Sequence, residues 1–258
     1  MITSVANEKV KYVRSLYRRR VRYRERHFVI EGVRLVREAF RAGIVPALLF
    51  YGEGIDASPG GGELLVEARK RGLTAFAVSE RVMKALADTV SPQGVLAVAP
   101  FVELAPPADP TLVLIIDCLR DPGNLGAILR SANAAGVEQV ILAPKTVDPY
   151  NPKVVRGAMG AHFRLPIVAL SWPEIAETVA GIHVLLADAR VERAYYEMDW
   201  TQPLALIIGG EAHGASREAK ELATATVAIP MHGEAESLNA ATAASVILFE
   251  AARQRSFH

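Results

Sequence analysis

Apolar positions along this chain switch repeatedly between two periods. Residues 28–30, 47–51, 74–78 and 95–102 are short runs of Val, Ile, Leu, Phe and Ala, and they read as strands. Residues 33–42, 63–71 and 80–87 carry apolar side chains at three- and four-residue spacing, so they read as helices. Upstream, 7–17 sets Val10, Val13, Leu16 and Tyr17 on one face with Lys and Arg between them, the pattern of an amphipathic helix. Residues 31–32 read as a turn. Residues 52–62, with five glycines and a proline, read as a flexible loop. Gly60, Gly61 and Gly62 do not make a phosphate loop, because neither Lys-Ser nor Lys-Thr follows them.

The alternation stops at 103–111, where three prolines predict a stiff linker. It then resumes. Residues 112–117 read as a strand, wholly apolar up to Asp117, as expected of a strand covered on both faces. Helices are predicted at 124–135, 153–160, 173–179 and 217–222, and strands at 139–143, 164–170, 183–189, 204–209 and 226–231. A long Ala-rich helix ends the chain. The expected fold class is α/β: a small layered domain over 1–102, the linker 103–111, and a mostly parallel α/β domain over 112–258.

Composition adds two constraints. The chain of 258 residues is 51% apolar and 22% charged, enough for real cores and against global disorder. One cysteine, Cys118, excludes an intrachain disulfide and fits a reducing compartment. No apolar run reaches the roughly 18 residues of a membrane helix, and none follows the basic start as in a secretory signal; a cytoplasmic protein is expected.

Charge changes the picture locally. Residues 1–26 hold nine Lys/Arg against Glu8 and Glu25, a net +7, which leaves −6 for the remainder of a chain whose total is +1. Arg18, Arg19, Arg20, Arg22 and Arg24 stand among Tyr17 and Tyr23. Such a run neutralises phosphates while the rings stack on unpaired bases, so nucleic acid is the expected partner of this arm.

In parallel sheets, ligands collect beyond the carboxyl ends of strands, and three such loops carry unusual residues. The first follows Asp117 and leads through Pro122-Gly123 to Asn124, read as a helix cap, with Arg130 six residues on. The second holds Gly209, Gly210 and Glu211. The third runs from Ile229 through Met231 to Ser237, Leu238 and Asn239, where Ser237 is expected to cap the final helix. Glu211, at the end of an apolar strand, needs a partner, and Arg130 or another cation is the expected one. His213 with Ser216 and Glu211 lacks the nucleophile elbow of a hydrolase. His162, His213, His232 and Cys118 lack metal-ligand spacing, so no metal is expected.

Asn124 with Arg130, the run Gly209-Gly210-Glu211, and Ile229-Pro230 with Ser237-Leu238-Asn239 together resemble the SpoU/TrmH family of RNA ribose 2′-O-methyltransferases, over about residues 112–255. Residues 1–102 resemble the RNA-binding domain of its ribosomal-RNA members. The resemblance implies a deep trefoil knot, a homodimer with its active site at or near the interface, and S-adenosylmethionine bound in a bent form. Gly209, Gly210, Ile229, Met231, Leu238 and Asn239 match the donor-binding positions, and Asn124, Arg130, Glu211, Ser237 and Asn239 match the functional ones. The family scheme makes the arginine a base. A guanidinium keeps its charge, so Arg130 reads better as a clamp on substrate phosphate and on developing oxyanion. Methylation of a transfer-RNA ribose and a non-catalytic RNA-binding dimer are the alternatives. The second loop reads GGEAHG, and Ala-Ala-Thr follows Asn239, both departures from the commoner family pattern.

Overall fold

The computed structural model describes residues 1–191, 193–211, 214–233 and 236–256. The chain divides into two compact units: residues 1–102 with 150–163, and residues 103–149 with 164–258.

In the first unit the chain runs α1 (Glu8–Ser15), α2 (Arg19–Glu25), β1 (His27–Glu31), α3 (Val33–Arg41), β2 (Leu48–Gly52), α4 (Gly61–Lys70), β3 (Ala75–Val78), α5 (Glu80–Leu86) and β4 (Val95–Pro100). The sheet order is β1-β4-β2-β3, with β2 and β3 parallel and the other pairs antiparallel. Strand alternation sorts its two cores. Phe28, Ile30, Leu49, Val95 and Ala97 pack on one face with Leu35, Phe40 and Leu64, while Val29, Phe50, Leu96 and Val98 pack on the other with Val10, Val13 and Val82.

Two expectations change here. Residues 31–32 are not simply a turn: Glu31 ends β1, is buried, and accepts from Thr89 Oγ1 at 2.8 Å and the Gln93 amide at 3.1 Å. The arginine run forms the helix α2. Within it Arg22 is 3% exposed and donates to the carbonyls of Leu16 and Tyr17, both at 2.8 Å.

The second unit begins with β5 (Leu112–Ile116), α6 (Pro122–Ala134) and β6 (Gln139–Leu142). The chain then contributes α7 (Pro152–Ala158) and a 3-10 turn, Ala161–Phe163, to the first unit, where Val155 and Phe163 complete the core around Phe28. It returns as β7 (Ile167–Ala169), α8 (Trp172–Thr178), β8 (His183–Ala187), β9 (Leu204–Ile208), α9 (Arg217–Leu222), β10 (Ala225–Val227) and α10 (Ala240–Arg255). Among the described residues six strands pair in the order β10-β8-β9-β5-β6-β7, every pair parallel. β5 and β9 lie inside this sheet and are buried along their whole length. β7 is shorter than the predicted strand, and β10 stops before Pro230, which lacks the N–H a ladder requires. α6 and α10 pack against each other, joined by a 2.7 Å bond between Ser131 Oγ and Ser245 Oγ.

Candidate functional site

Strands β8, β9 and β10 end side by side, and their loops meet the start of α10 around a cleft of about 700 Å³. Ile208, Val227, Ile229, Leu238 and Ile247 give it apolar walls, and Gly209, Gly210 and Gly214 leave much of one side as bare backbone. The size lies within the usual range for small-molecule sites, about 300–1,000 Å³. Gly209, Gly210, Ile229, Met231, Leu238 and Asn239, predicted from three sequence motifs, all line this cleft, as do Glu211 and Ser237.

The glycines have a second reason to be there. In the second loop a bridge joins Gly210 and Gly214. A Cβ at Gly209 would stand 2.7 Å from the Ala215 nitrogen, and one at Gly210 would stand 2.5 Å from the Cys118 carbonyl oxygen. No side chain fits at either position without moving backbone.

At the rim, three predicted residues form one chain of hydrogen bonds. Asn239 is the N-cap of α10, and its Oδ1 accepts from the amides of Ala241 at 2.9 Å and Thr242 at 3.4 Å. With its oxygen so occupied, its Nδ2 donates to Asn124 Oδ1 at 3.0 Å. That leaves Asn124 Nδ2 to donate to Glu211 Oε1 at 2.6 Å. The helix cap therefore sets the direction of both amides, and the second amide aims the carboxylate.

Both predicted caps move. Asn239, not Ser237, caps α10, and Ser237 stays exposed in the cleft lining. The cap of α6 is Asp121, whose Oδ1 accepts from the Asn124 amide at 2.8 Å, with Pro122 in the first turn. Asn124 is thus within the helix, and its side chain is released to meet Asn239 and Glu211. The pairing of Glu211 with Arg130 does not occur. Glu211 is exposed, with Asn124 as its partner, and Arg130 is exposed on α6.

Ser216 Oγ accepts from the Ala219 amide at 3.2 Å as the cap of α9, and His213 lies outside the described residues. Among the described residues no group of three or more His, Cys, Asp and Glu side chains could hold a metal ion. Of the arginines predicted for RNA, Arg18, Arg19, Arg20 and Arg24 are exposed on or beside α2, whereas Arg22 is spent on holding the α1–α2 turn.

Sequence reading missed the loop after β8. There Asp188 and Arg190 line the cleft mouth, with Arg190 Nε to Asp188 Oδ1 and Arg190 Nη2 to Asp188 Oδ2 both at 3.1 Å. Hydrogen bonding from Arg190 holds the Asp188 carboxyl below its usual range. The signal was available, since this loop also leaves the carboxyl end of an apolar strand.

Comparison with known proteins now bears on this geometry. Residues 111–249 match the SpoU rRNA Methylase family, and residues 7–97 match the MRM3-like substrate binding domain. The chain belongs to the SpoU rRNA methylase family. This SpoU member is 33% identical over 251 residues to the 23S rRNA (guanosine(2553)-2'-O)-methyltransferase RlmP of Bacillus subtilis, covering 96% of this chain and 97% of that one. It is 35% identical over 250 residues to the 23S rRNA (uridine(2479)-2'-O)-methyltransferase of Streptomyces viridochromogenes, covering 92% and 86%. The solved SpoU methyltransferase AviRb from that organism, in complex with the cofactor AdoMet, superposes with a TM-score of 0.84 at 32% identity, covering 98% of this chain and 100% of that one. The α/β class with a parallel second sheet, expected from pattern and resemblance, is the fold of the family.

Proposed function

We propose that the protein methylates a ribose 2′-hydroxyl of ribosomal RNA with S-adenosylmethionine as donor. The observation that carries this reading is the fixed Asn239–Asn124–Glu211 chain at the rim of the glycine-walled cleft, in a member of the SpoU family. The full-length likeness to 23S rRNA 2′-O-methyltransferases supports ribosomal over transfer RNA. Residues 1–102 serve substrate binding, 112–258 the chemistry, and 103–111 the connection.

The cleft suits the donor: its apolar walls and bare backbone fit a purine and ribose, and its carboxylates fit cationic groups. Gly209, Gly210, Ile229, Met231 and Leu238 would hold it. When bound, S-adenosylmethionine supplies an electrophilic methyl group. The chain's part is positioning and electrostatics. Glu211 is aimed by Asn124 and orients the ribose hydroxyls. Ser237 and Asn239 bracket the same rim. Arg130 clamps substrate phosphate and stabilises negative charge growing on the 2′-oxygen.

Arg130 stands outside the amide chain on an exposed helix face. Its part in the site is therefore played in a homodimer, where the partner presents it. The paired helices α6 and α10 offer a surface for this, with Ala127 and Ala134 exposed and Phe249 51% exposed. The strand order, with β10 beside β8 although β9 precedes it in the chain, supports the knotted path expected for this family. A ribosomal substrate, together with likeness to RlmP of Bacillus subtilis, supports a cytoplasmic location.

Titration with S-adenosylmethionine by calorimetry, followed by mapping of ribose methylation on ribosomal RNA from cells with and without the protein, tests the reading. Binding heat and the loss of one methylated ribose are expected. Absence of either result sinks it.

A further inference from the structure

Asp117 has no part in the mechanism above, yet it is among the most committed side chains in the second unit. It follows β5, it is 0% exposed, and its amide donates to the Ile208 carbonyl at 2.9 Å. Its Oδ2 accepts from the Ser216 amide at 2.6 Å. Its Oδ1 is buried with no standard hydrogen-bond partner among the described residues, and the adjacent Cys118 thiol, pushed up by burial and then by hydrogen bonding to Asp117, is a further group that interacts with this carboxylate there.

A buried carboxylate with one oxygen unsatisfied is costly. A fold that needed only a filled space there would be better served by an apolar residue, and one that needed only an acceptor by a neutral one. The remaining reason is the strength of a charge-assisted bond to one particular amide. That amide sits where the second loop ends. Ser216 closes the loop that opens at Gly209, and between them lie the glycines of the cleft wall and Glu211. The loop's near side rests on the Asp117–Cys118 backbone, since a Cβ at Gly210 would lie 2.5 Å from the Cys118 oxygen and 3.6 Å from the Asp117 oxygen. Asn124 holds the loop at Glu211. Without the Asp117 anchor, the ties of the far end among the described residues are the Gly214-to-Gly210 amide bond of 3.1 Å and the α9 cap.

We infer that Asp117 is a positioning residue, which fixes residues 214–216 and, through the Gly210–Gly214 bridge, holds Gly209, Gly210 and Glu211 where they wall the donor cleft and present Glu211 to Asn124. The inference rests on the donor-binding reading of that cleft. Its chemistry is a static one: Asp117 touches neither donor nor RNA, and its removal acts through the loop.

The test compares the unmodified protein with Asp117→Asn and Asp117→Ala. Asn keeps an acceptor of the same size and removes the charge; Ala removes the bond. The expected Kd for S-adenosylmethionine rises about five- to tenfold in Asp117→Asn and further in Asp117→Ala, following the weakened and then lost charge-assisted bond. KM for the donor should rise in step, and kcat should fall as well, because the same loop carries Glu211. A purely structural role would instead lower the melting temperature and leave donor Kd unchanged in the folded variants, and that result overturns the inference. Amide exchange on the unmodified protein needs no variant: the Ser216 amide should be protected well beyond exposed loop amides, and fast exchange there would equally overturn it. If the unmodified protein binds no S-adenosylmethionine at all, the cleft's assigned function fails, while the exchange result still reports on the anchor.

Discussion

Three side chains at the cleft rim show how a residue that caps a helix can also set the direction of its neighbours. Asn239 satisfies the free N–H groups of the first turn of α10, and the same bonds turn its amide toward Asn124. Sequence motifs put Asn124, Glu211 and Asn239 in one set. They could not say which neighbour caps which helix. Asp121 and Asn124 both cap well, as do Ser237 and Asn239, and the choice is made by how the preceding loop delivers the chain. Asn239→Ala should therefore lose about 1 kcal/mol of stability through the cap, and lose methyl transfer at least tenfold as Asn124 keeps only one of the two bonds that set its direction. Ser237→Ala should leave thermal unfolding unchanged, because Ser237 caps nothing. Calorimetric unfolding alongside a methyl-transfer assay checks both; equal destabilisation by the two variants would contradict the assignment.

At the scale of elements, α2 was the least legible. Its sequence, RRVRYRE, carries no apolar stripe beyond Val21 and so gives no helical period. Arginine is nevertheless a good helix former, and Arg22 anchors the turn from within by its two carbonyl bonds. The arginines thus divide. Replacing Arg18, Arg20 and Arg24 together with Ala should weaken RNA binding and flatten the dependence of log K on log salt by about 2, with little change in stability. Arg22→Ala should instead cost about 2–3 kcal/mol, the worth of a charged donor to buried carbonyls. Filter binding across salt concentrations and urea denaturation separate the two classes. Strand and helix types elsewhere followed from period alone, since β5 and β9 are apolar throughout and the helices between them are not.

For the whole molecule, the sequence announced alternating strands and helices but not their lateral order. The arrangement β10-β8-β9-β5-β6-β7 depends on pairings between distant segments, which no local pattern encodes. It is this order that brings the ends of β8, β9 and β10 to one cleft. If the partner subunit supplies Arg130 to that cleft, two separately inactive variants should rescue each other. Mixing Asn124→Ala with Arg130→Ala chains, after exchange of subunits, should restore up to about a quarter of wild-type turnover per mole of protein, because half of the dimers are mixed and each has one intact site. No recovery in a verified mixed dimer would show that Arg130 serves its own chain.

The segment 150–163 sets an order of events in biosynthesis. Its Val155 and Phe163 belong to the core around Phe28, so the amino-terminal unit has an open flank until they arrive. A nascent chain that has passed residue 102 still cannot close that flank. It must first emit β5, α6 and β6 of the other unit. A ribosome-stalled chain ending at residue 102 should accordingly be cut by protease far faster than one carrying residue 163 clear of the exit tunnel, and equal resistance would show that the flank seals without its late partner.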